Sequence, residues 1–363
     1  MNRLTAIGLA SLVAYGLLIA SKYTGIVSAA REDGASQPLA PQVTLETPAE
    51  VAPVRAEPRA PAIAMPAPIP RAEGPRVSGV GLEFRAARDL KVFADNLMSR
   101  RGQLSGDERY HLARALEECL FATTINEELA AYSAKQKRQF LAGLPTTDPL
   151  NTRRIAAYDA LDNTQRCAGF QNTKISRKEI EELMHAAALQ GDARAQARVI
   201  TGELNKANDQ NRRNNGDKPE GAQNTTAVST DDLATIIGLL ESGDPEAMLI
   251  VGEYLSRQAV NLRVGPNGEV PEPSAFLAGF TFVACDHGLD CSQTHREVLM
   301  ACSYGGYCNA QSFEELYQNF IASPWVATQA NHYRRLIHMA IRDRNWPLIG
   351  LVPKAPKRQL EPQ

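Results

Sequence analysis

The amino-acid sequence predicts an all-α protein, and three observations support that fold class. Ala, Leu, Glu, Gln and Arg, which favour helices, are plentiful, while the long Val/Ile/Thr alternations of strands are missing. Aromatic residues make up only 6% of the 363 residues. From about Leu82 onward, apolar residues recur with helical period almost throughout. In finer detail we expect antiparallel helical hairpins, partly solenoid-like, preceded by a membrane-targeting helix and a Pro-rich disordered linker.

The N-terminal segment, residues 1–30, is predicted to target the protein to a membrane. Arg3 precedes an uncharged, largely apolar stretch at residues 4–21, whose length of roughly 27 Å as a helix approaches the thickness of a bilayer core. One interpretation is a signal anchor, because Lys22 and Tyr23 follow the stretch directly, as at an interfacial boundary. The other is a signal peptide cleaved near Ala29 or Ala30. Both interpretations export the rest of the chain.

Residues 31–80 are predicted to form a Pro/Ala-rich disordered linker. Ten of the chain's 22 prolines fall between residues 37 and 75. Proline at this density is incompatible with helices and with sheet ladders, and it favours extended polyproline II conformations. Placed after a membrane helix, such a segment would hold a domain away from the bilayer. A recognition ligand for a partner's aromatic groove is the alternative.

Residues 81–350 are predicted to form the helical domain, and residues 351–363 a disordered tail. Helices are expected over 82–100, 125–144 and 149–167, and from Ser323-Pro324 to about Arg342. The tetrapeptides Ser105-Gly-Asp-Glu108 and Ser176-Arg-Lys-Glu179 have the pattern of capping boxes at helix starts. Repeat-like hairpins are expected near 176–260, and Cys-rich hairpins near 272–320.

Two segments, at residues 185–204 and 237–255, share a pattern beyond helical period. In each, an amphipathic helix ends in Gly-Asp and another helix follows at once. Gly191 and Gly243 suit the left-handed position that closes a helix. Asp192 and Asp244 suit the N-cap of the helix that follows. We therefore predict a tight helical hairpin at each Gly-Asp turn.

These hairpins resemble the Sel-like repeat of the tetratricopeptide class, whose core reads roughly A-A-x-x-G-D-x-x-A-Q/M-x-x-L-G. The residues that match are Ala187, Ala188, Gly191, Asp192, Ala195 and Gln196 in the first copy, and Leu240, Gly243, Asp244, Ala247 and Gly252 in the second. The copies depart from the family's spacing because a polar, Asn-rich insertion at about 205–230 separates them. The resemblance implies stacked helix pairs that contact other proteins, and the family provides no catalytic residue to assign to this chain.

Six cysteines make disulfides the leading interpretation for an exported chain. They are Cys119, Cys167, Cys285, Cys291, Cys302 and Cys308. Bridges within the two short units, Cys285 with Cys291 and Cys302 with Cys308, would leave Cys119 to pair with Cys167, although other pairings remain open. Zinc binding is the alternative because His287 and His295 lie among the last four cysteines, but no C-x-x-C pair occurs.

No catalytic constellation is recognisable, so we expect no catalytic, cofactor-binding or metal-binding residue and no cofactor. The G-x-S-x-G, H-E-x-x-H, Walker and dinucleotide-binding motifs are all missing from the sequence. The histidines, among them His111 and His185, are scattered. Tyr304 and Tyr307 flank a Gly-Gly turn, where they form either a binding edge or a packed turn. The basic residues between 331 and 344 are expected to form a solvated helix face.

The function expected from these features is protein–protein interaction. A net charge of −2 and a pI near 6.3 argue against a nucleic-acid partner. We expect a non-enzymatic scaffold, tethered to the inner membrane through its N-terminal helix, whose periplasmic domain binds an envelope protein. The alternative location is the periplasm, after cleavage. The alternative function is a periplasmic enzyme that acts on cell-wall material.

Overall fold

The structure, a computed structural model, describes residues 78–125, 127–215 and 230–352. The predicted membrane-targeting segment, nearly all of the predicted linker and most of the predicted tail lie outside these ranges. The described residues all belong to one unit, Pro68–Gln363. In this part of the chain, no helix has both the length and the apolar character needed to cross a membrane.

Thirteen α-helices and no β-strand occur within the described ranges, which confirms the all-α prediction. In chain order they are α1 (Gly79–Ala86), α2 (Leu90–Met98), α3 (Gly106–Cys119), α4 (Leu129–Ala142), α5 (Asn151–Leu161), α6 (Arg177–Leu189), α7 (Ala193–Asn215), α8 (Thr230–Glu241), α9 (Pro245–Arg257), α10 (Pro273–Asp286), α11 (Arg296–Gly305), α12 (Phe313–Leu316) and α13 (Pro324–Asp343). Short 3-10 turns and one π turn, Tyr317–Ile321, extend or connect them.

Side-chain caps define several helix starts. Ser105 and Glu108 form the predicted capping box at α3, with each side chain bonded to the other residue's backbone N–H. At α6 the prediction is wrong, because the side chain of Ser176 makes no capping hydrogen bond. Ser323 caps α13 ahead of Pro324, as the sequence predicts for a helix start.

The continuous helix expected over residues 82–100 is divided in two. Asp89 adopts an extended conformation and accepts hydrogen bonds from the backbone N–H groups of Lys91 and Val92, so a new helix begins after it. Similarly, α5 ends at Leu161, short of the predicted Cys167. There the carboxylate of Asp162 accepts the backbone N–H of Thr164 at 2.9 Å and forms a turn.

Two large hydrophobic cores stabilise the described domain, and a small third cluster surrounds Cys302 and Cys308. The first lies among α1, α2, α3 and α6 and includes the fully buried Tyr110, Leu112 and Phe170. The second lies among α9, α10 and α13, and its largest buried side chains include Phe276 and Phe280. Helices α7 and α8 join the second core, while the N-terminal turn of α7 also contributes Ala195 to the first.

The six cysteines form three disulfides, which confirms the disulfide prediction. Cys119 pairs with Cys167, Cys285 with Cys291, and Cys302 with Cys308. The first bond joins residues 48 positions apart, and loop-closure entropy gives it about 4 kcal/mol of stabilisation. The other two each close a loop with a separation of 6, for which the same relation gives about 2 kcal/mol.

Two glycines allow helices of the second core to approach closely. A Cβ atom at Gly252 on α9 would lie 2.4 Å from the Cβ atom of Phe280 on α10. A Cβ atom at Gly279 would lie 2.8 Å from that of Tyr333 on α13. Both distances are far below van der Waals contact. The glycine at position 252, which matches the Sel-like pattern, is therefore required by the packing of α9 on α10.

We predict that Gly252→Ala destabilises the protein, because the added methyl group overpacks a well-filled core. The free energy of unfolding should fall by about 1–3 kcal/mol. The matched control is Gly202→Ala on α7, where no atom lies within 4 Å of an added Cβ and better helix propensity should add about 0.5–1 kcal/mol. Urea unfolding followed by circular dichroism measures both. A Gly252→Ala variant as stable as the parent would contradict the packing argument.

Candidate functional site

The first Gly-Asp turn joins α6 to α7. Gly191 has φ +86°, the left-handed conformation expected of a residue that closes a helix. The backbone N–H of Asp192 then donates to the carbonyl of Ala187 at 3.2 Å. The Asp192 carboxylate accepts the backbone N–H of Ala195 at 3.0 Å and so caps α7.

The second Gly-Asp turn joins α8 to α9 with the same local chemistry. Gly243 has φ +70°. The Asp244 carboxylate accepts the backbone N–H of Ala247 at 2.8 Å, and Pro245 occupies the first turn of α9. At both turns, a left-handed glycine and an aspartate N-cap reverse the chain within very few residues.

Arg194 connects the first turn to α3. Its guanidinium donates to the carboxylates of Asp192 and Asp107, each at 2.5 Å. It also lies 4.3 Å from the centroid of the Tyr110 ring, within the range of a cation–π contact. Burial opposes the charged form, but the hydrogen bonds that the guanidinium donates to both carboxylates outweigh burial and raise the pKa of Arg194. The arginine therefore stays charged and holds two helices together.

The same network extends to the second turn. The hydroxyl of Tyr110, on α3, donates to the carboxylate of Glu246 in the first turn of α9. Burial raises the pKa of Asp244, and the charge of Arg194 opposes that shift, so the second turn lies within electrostatic range of the first. One polar cluster thus joins α3 to both Gly-Asp turns. We call it the Arg194 network: Asp107, Tyr110, His111, Asp192, Arg194 and Glu246.

His111 is a buried member of this network, with 6% of its surface exposed. Its Nε2 atom lies 3.2 Å from the Arg194 guanidinium, which can only donate, so Nε2 accepts. The Nδ1 atom is buried with no hydrogen-bond partner in the described ranges. Burial, with the charge of Arg194 second, lowers the pKa of His111 to about 4. His111 is therefore a neutral core residue at neutral pH, whose ring is not available to a substrate.

A groove of about 540 Å³ opens between the helices that carry the first turn and α8. Both α6 and α8 pack against α7, and all three helices line the groove. Its apolar residues are Ala188, Leu189, Val199, Ile200 and Leu239. The polar residues His185, Gln196, Glu203 and Thr235 also line it, and so does Gly238. Its volume lies within the range of ligand sites.

Leu189 forms an exposed apolar edge of the groove, and Gly238 leaves open space within it. Leu189 is 90% exposed, the largest exposure of any large hydrophobic residue in the described part. Nothing lies within 4 Å of a Cβ atom built on Gly238. A side chain from another molecule can therefore enter the groove without displacing this chain's own atoms. The sequence predicts the turn beside the groove but not the groove itself.

A second polar cluster lies beside the Cys285–Cys291 disulfide, and it corrects one expectation. Arg334 and His338 on α13 both bind the carboxylate of Asp286, His338 through Nε2 at 2.8 Å. They therefore do not belong to a solvated face, and the prediction is wrong for these two residues. Burial raises the pKa of Asp286, but the hydrogen bonds from His338 and Arg334 outweigh it and lower that pKa. Arg334 also donates to Glu314 at 3.1 Å.

The side chains of this cluster contact one another within the chain, and this arrangement does not present a reactive group. The two guanidinium contacts and the imidazole contact engage both oxygens of the Asp286 carboxylate. The ring of His287 stacks on that of His338 with centroids 5.9 Å apart. Among the described residues, no three His, Cys, Asp or Glu side chains are grouped closely enough to hold a metal ion.

The two tyrosines beside the Gly-Gly turn have different environments. Tyr304 is 61% exposed and contacts Phe140 and Tyr158, which stack on each other at 4.2 Å. Tyr307 instead lies inside the turn, where a Cβ atom on Gly305 would meet its ring at 2.8 Å. Only Tyr304 could form a binding edge, and Tyr307 is the packed-turn residue.

We predict that His111 makes the protein less stable in mild acid. Its pKa of about 4 in the fold lies below the unfolded value of about 6.5, so the unfolded state binds more protons between these values. The contribution that neutral His111 makes to the free energy of unfolding is fully present above about pH 6.5 and is lost as the pH falls toward 4. The free energy of unfolding should drop by about 2 kcal/mol from pH 7 to pH 5 through this residue alone.

The measurement compares the parent with His111→Gln, whose side chain does not titrate, by urea unfolding at pH 7 and pH 5. The difference between the two proteins isolates His111 from the neighbouring Asp107, Asp192 and Glu246. A parent whose loss of stability equals that of His111→Gln would contradict the assignment.

Comparison with known proteins does not assign these hairpins to a family. No protein family, curated protein or solved structure matches the chain. The resemblance to Sel-like repeats therefore rests on the residues of the two Gly-Asp hairpins alone and stays a hypothesis.

Proposed function

We propose that this protein is a non-enzymatic interaction module that binds a helical segment of an envelope protein in the groove between α6, α7 and α8. The observation that carries the proposal is the apolar groove with Leu189, which is 90% exposed, at its edge. A leucine exposed beside an apolar groove is typical of an interaction site, since burying it gains roughly 1.5–3 kcal/mol.

The fixed geometry of the two hairpins supports the proposal. Asp192 and Asp244 cap their helices, and the Arg194 network joins both turns to α3. A groove held in one shape loses little conformational entropy when a partner binds. In the finer fold that we propose, the two hairpins are repeat units of a short, partly solenoid-like stack of the Sel-like type.

The proposed location is the periplasmic face of the inner membrane. Three disulfides favour an oxidising compartment. The apolar N-terminal segment would hold the chain at the membrane, and the Pro-rich segment after it would set the reach of the domain and its local concentration near a partner.

A buried carboxylate open to a cleft would favour the alternative function, an enzyme acting on cell-wall material. The side chains of Asp192 and Asp286 are only 5% and 10% exposed, and each is bound by an arginine of the same chain. This arrangement favours the interaction module.

The test is photocrosslinking in intact cells with a photoreactive amino acid at position 189. We expect one envelope protein to be captured and identified, with its crosslinked residue on a helical segment. The same amino acid at position 202, on α7 but not lining the groove, should not capture that protein. Adding Gly238→Gln, which fills the groove, should abolish the crosslink from position 189.

Two outcomes would contradict the proposal. Equal capture from positions 189 and 202 would show that contact is not specific to the groove. A crosslink that survives Gly238→Gln would place the partner elsewhere on the protein.

A further inference from the structure

We infer that the segment bound in the groove is a basic amphipathic helix, an inference that rests on the proposed function and specifies the chemistry of its partner. The groove supplies two of the features that recognise such a helix, an apolar base and an acidic rim. The partner's charge follows from the residues around the groove.

The apolar base suits one face of a helix. Ala188 and Leu189 on α6, Val199 and Ile200 on α7, and Leu239 on α8 line one continuous groove. Helical ligands place apolar anchors at i, i+3 or i+4, and i+7, which together form a stripe that fits such a groove. The open space at Gly238 would admit one of these anchors.

Exposed carboxylates lie on every helix that lines the groove. Glu203 of α7 lines the groove directly and is exposed. Glu181 and Glu182 are exposed on α6, one turn before the groove residue His185, and Asp231 is exposed on α8, one turn before Thr235.

Three exposed cations lie near these carboxylates, namely Arg177, Lys178 and Lys206. Lys206, one turn after Glu203, is exposed on α7. The ammonium group of Lys178 on α6 lies 3.7 Å from the carboxylate of Glu182 and offsets that charge. His185 is the other titratable group in the groove. Carboxylates therefore exceed cations around the groove, and a partner with lysines or arginines beside its apolar stripe complements them.

Binding of two synthetic helical peptides to the full-length protein tests the inference. Both carry the same leucine stripe, but one has lysine and the other glutamate at the remaining polar positions. The protein is held in nanodiscs of zwitterionic lipid, and binding to empty nanodiscs is subtracted. We expect the lysine peptide to bind at least tenfold more tightly than the glutamate peptide, and to weaken as salt is raised.

Matched variants locate the binding. Gly238→Gln should abolish binding of the lysine peptide, whereas Gly202→Gln, at a helical glycine with equally open space, should leave it unchanged. Glu203→Gln should weaken binding about threefold, in the range of a single exposed charge pair. Glu83→Gln on α1, which does not line the groove, should have no effect.

Several results would overturn the inference. Equal affinity for the two peptides, or tighter binding of the glutamate peptide, would remove the charge argument. Equal effects of Gly238→Gln and Gly202→Gln would show adsorption outside the groove. Self-association that is lost in Gly238→Gln would identify a second copy as the occupant. If crosslinking from position 189 captures a partner with an acidic segment, the inference fails while the interaction function stands.

Discussion

The position of Arg194 is the constraint on which the groove-bearing half of the structure depends. Its guanidinium binds the N-cap of its own helix, Asp192, and reaches across to Asp107 on α3. The same group packs on Tyr110, whose hydroxyl binds Glu246 at the start of α9. A largely buried charge held by two carboxylates and an aromatic face is costly to leave unpaired. The relative positions of α3, α7 and α9 are therefore specified together, and the groove between α6, α7 and α8 is built on them.

The features that were predictable from the sequence are local ones. A left-handed glycine followed by an aspartate N-cap depends only on neighbouring backbone, so the turns at Gly191 and Gly243 could be located without a structure. The disulfides of the two short Cys units were also accessible from spacing. The division of α1 from α2 was missed, because the N-cap at Asp89 lies within a continuous helical pattern.

The features that could not be predicted depend on contacts distant in sequence. Arg194 and Asp107 are 87 residues apart, and Arg334 and Asp286 are 48 apart. In each case the helical pattern alone suggests a solvated charge, and only the packing of the helices shows its partner. The sequence held only two hints of the Arg194 network. Arg194 closely follows a predicted N-cap, and the spacing of Asp107 and His111 places them on one face of α3. The groove gave no signal because it depends on the separation of α6 from α8.

The most direct test of this account is amide hydrogen exchange in Arg194→Met, with Arg213→Met as the control. Arg213 lies on the same helix and is exposed. The account predicts faster exchange at the start of α7 and also at the start of α9 in Arg194→Met, with little change at α9 in the control. Unchanged protection at the start of α9 in Arg194→Met would contradict the claim that this arginine couples the two hairpins.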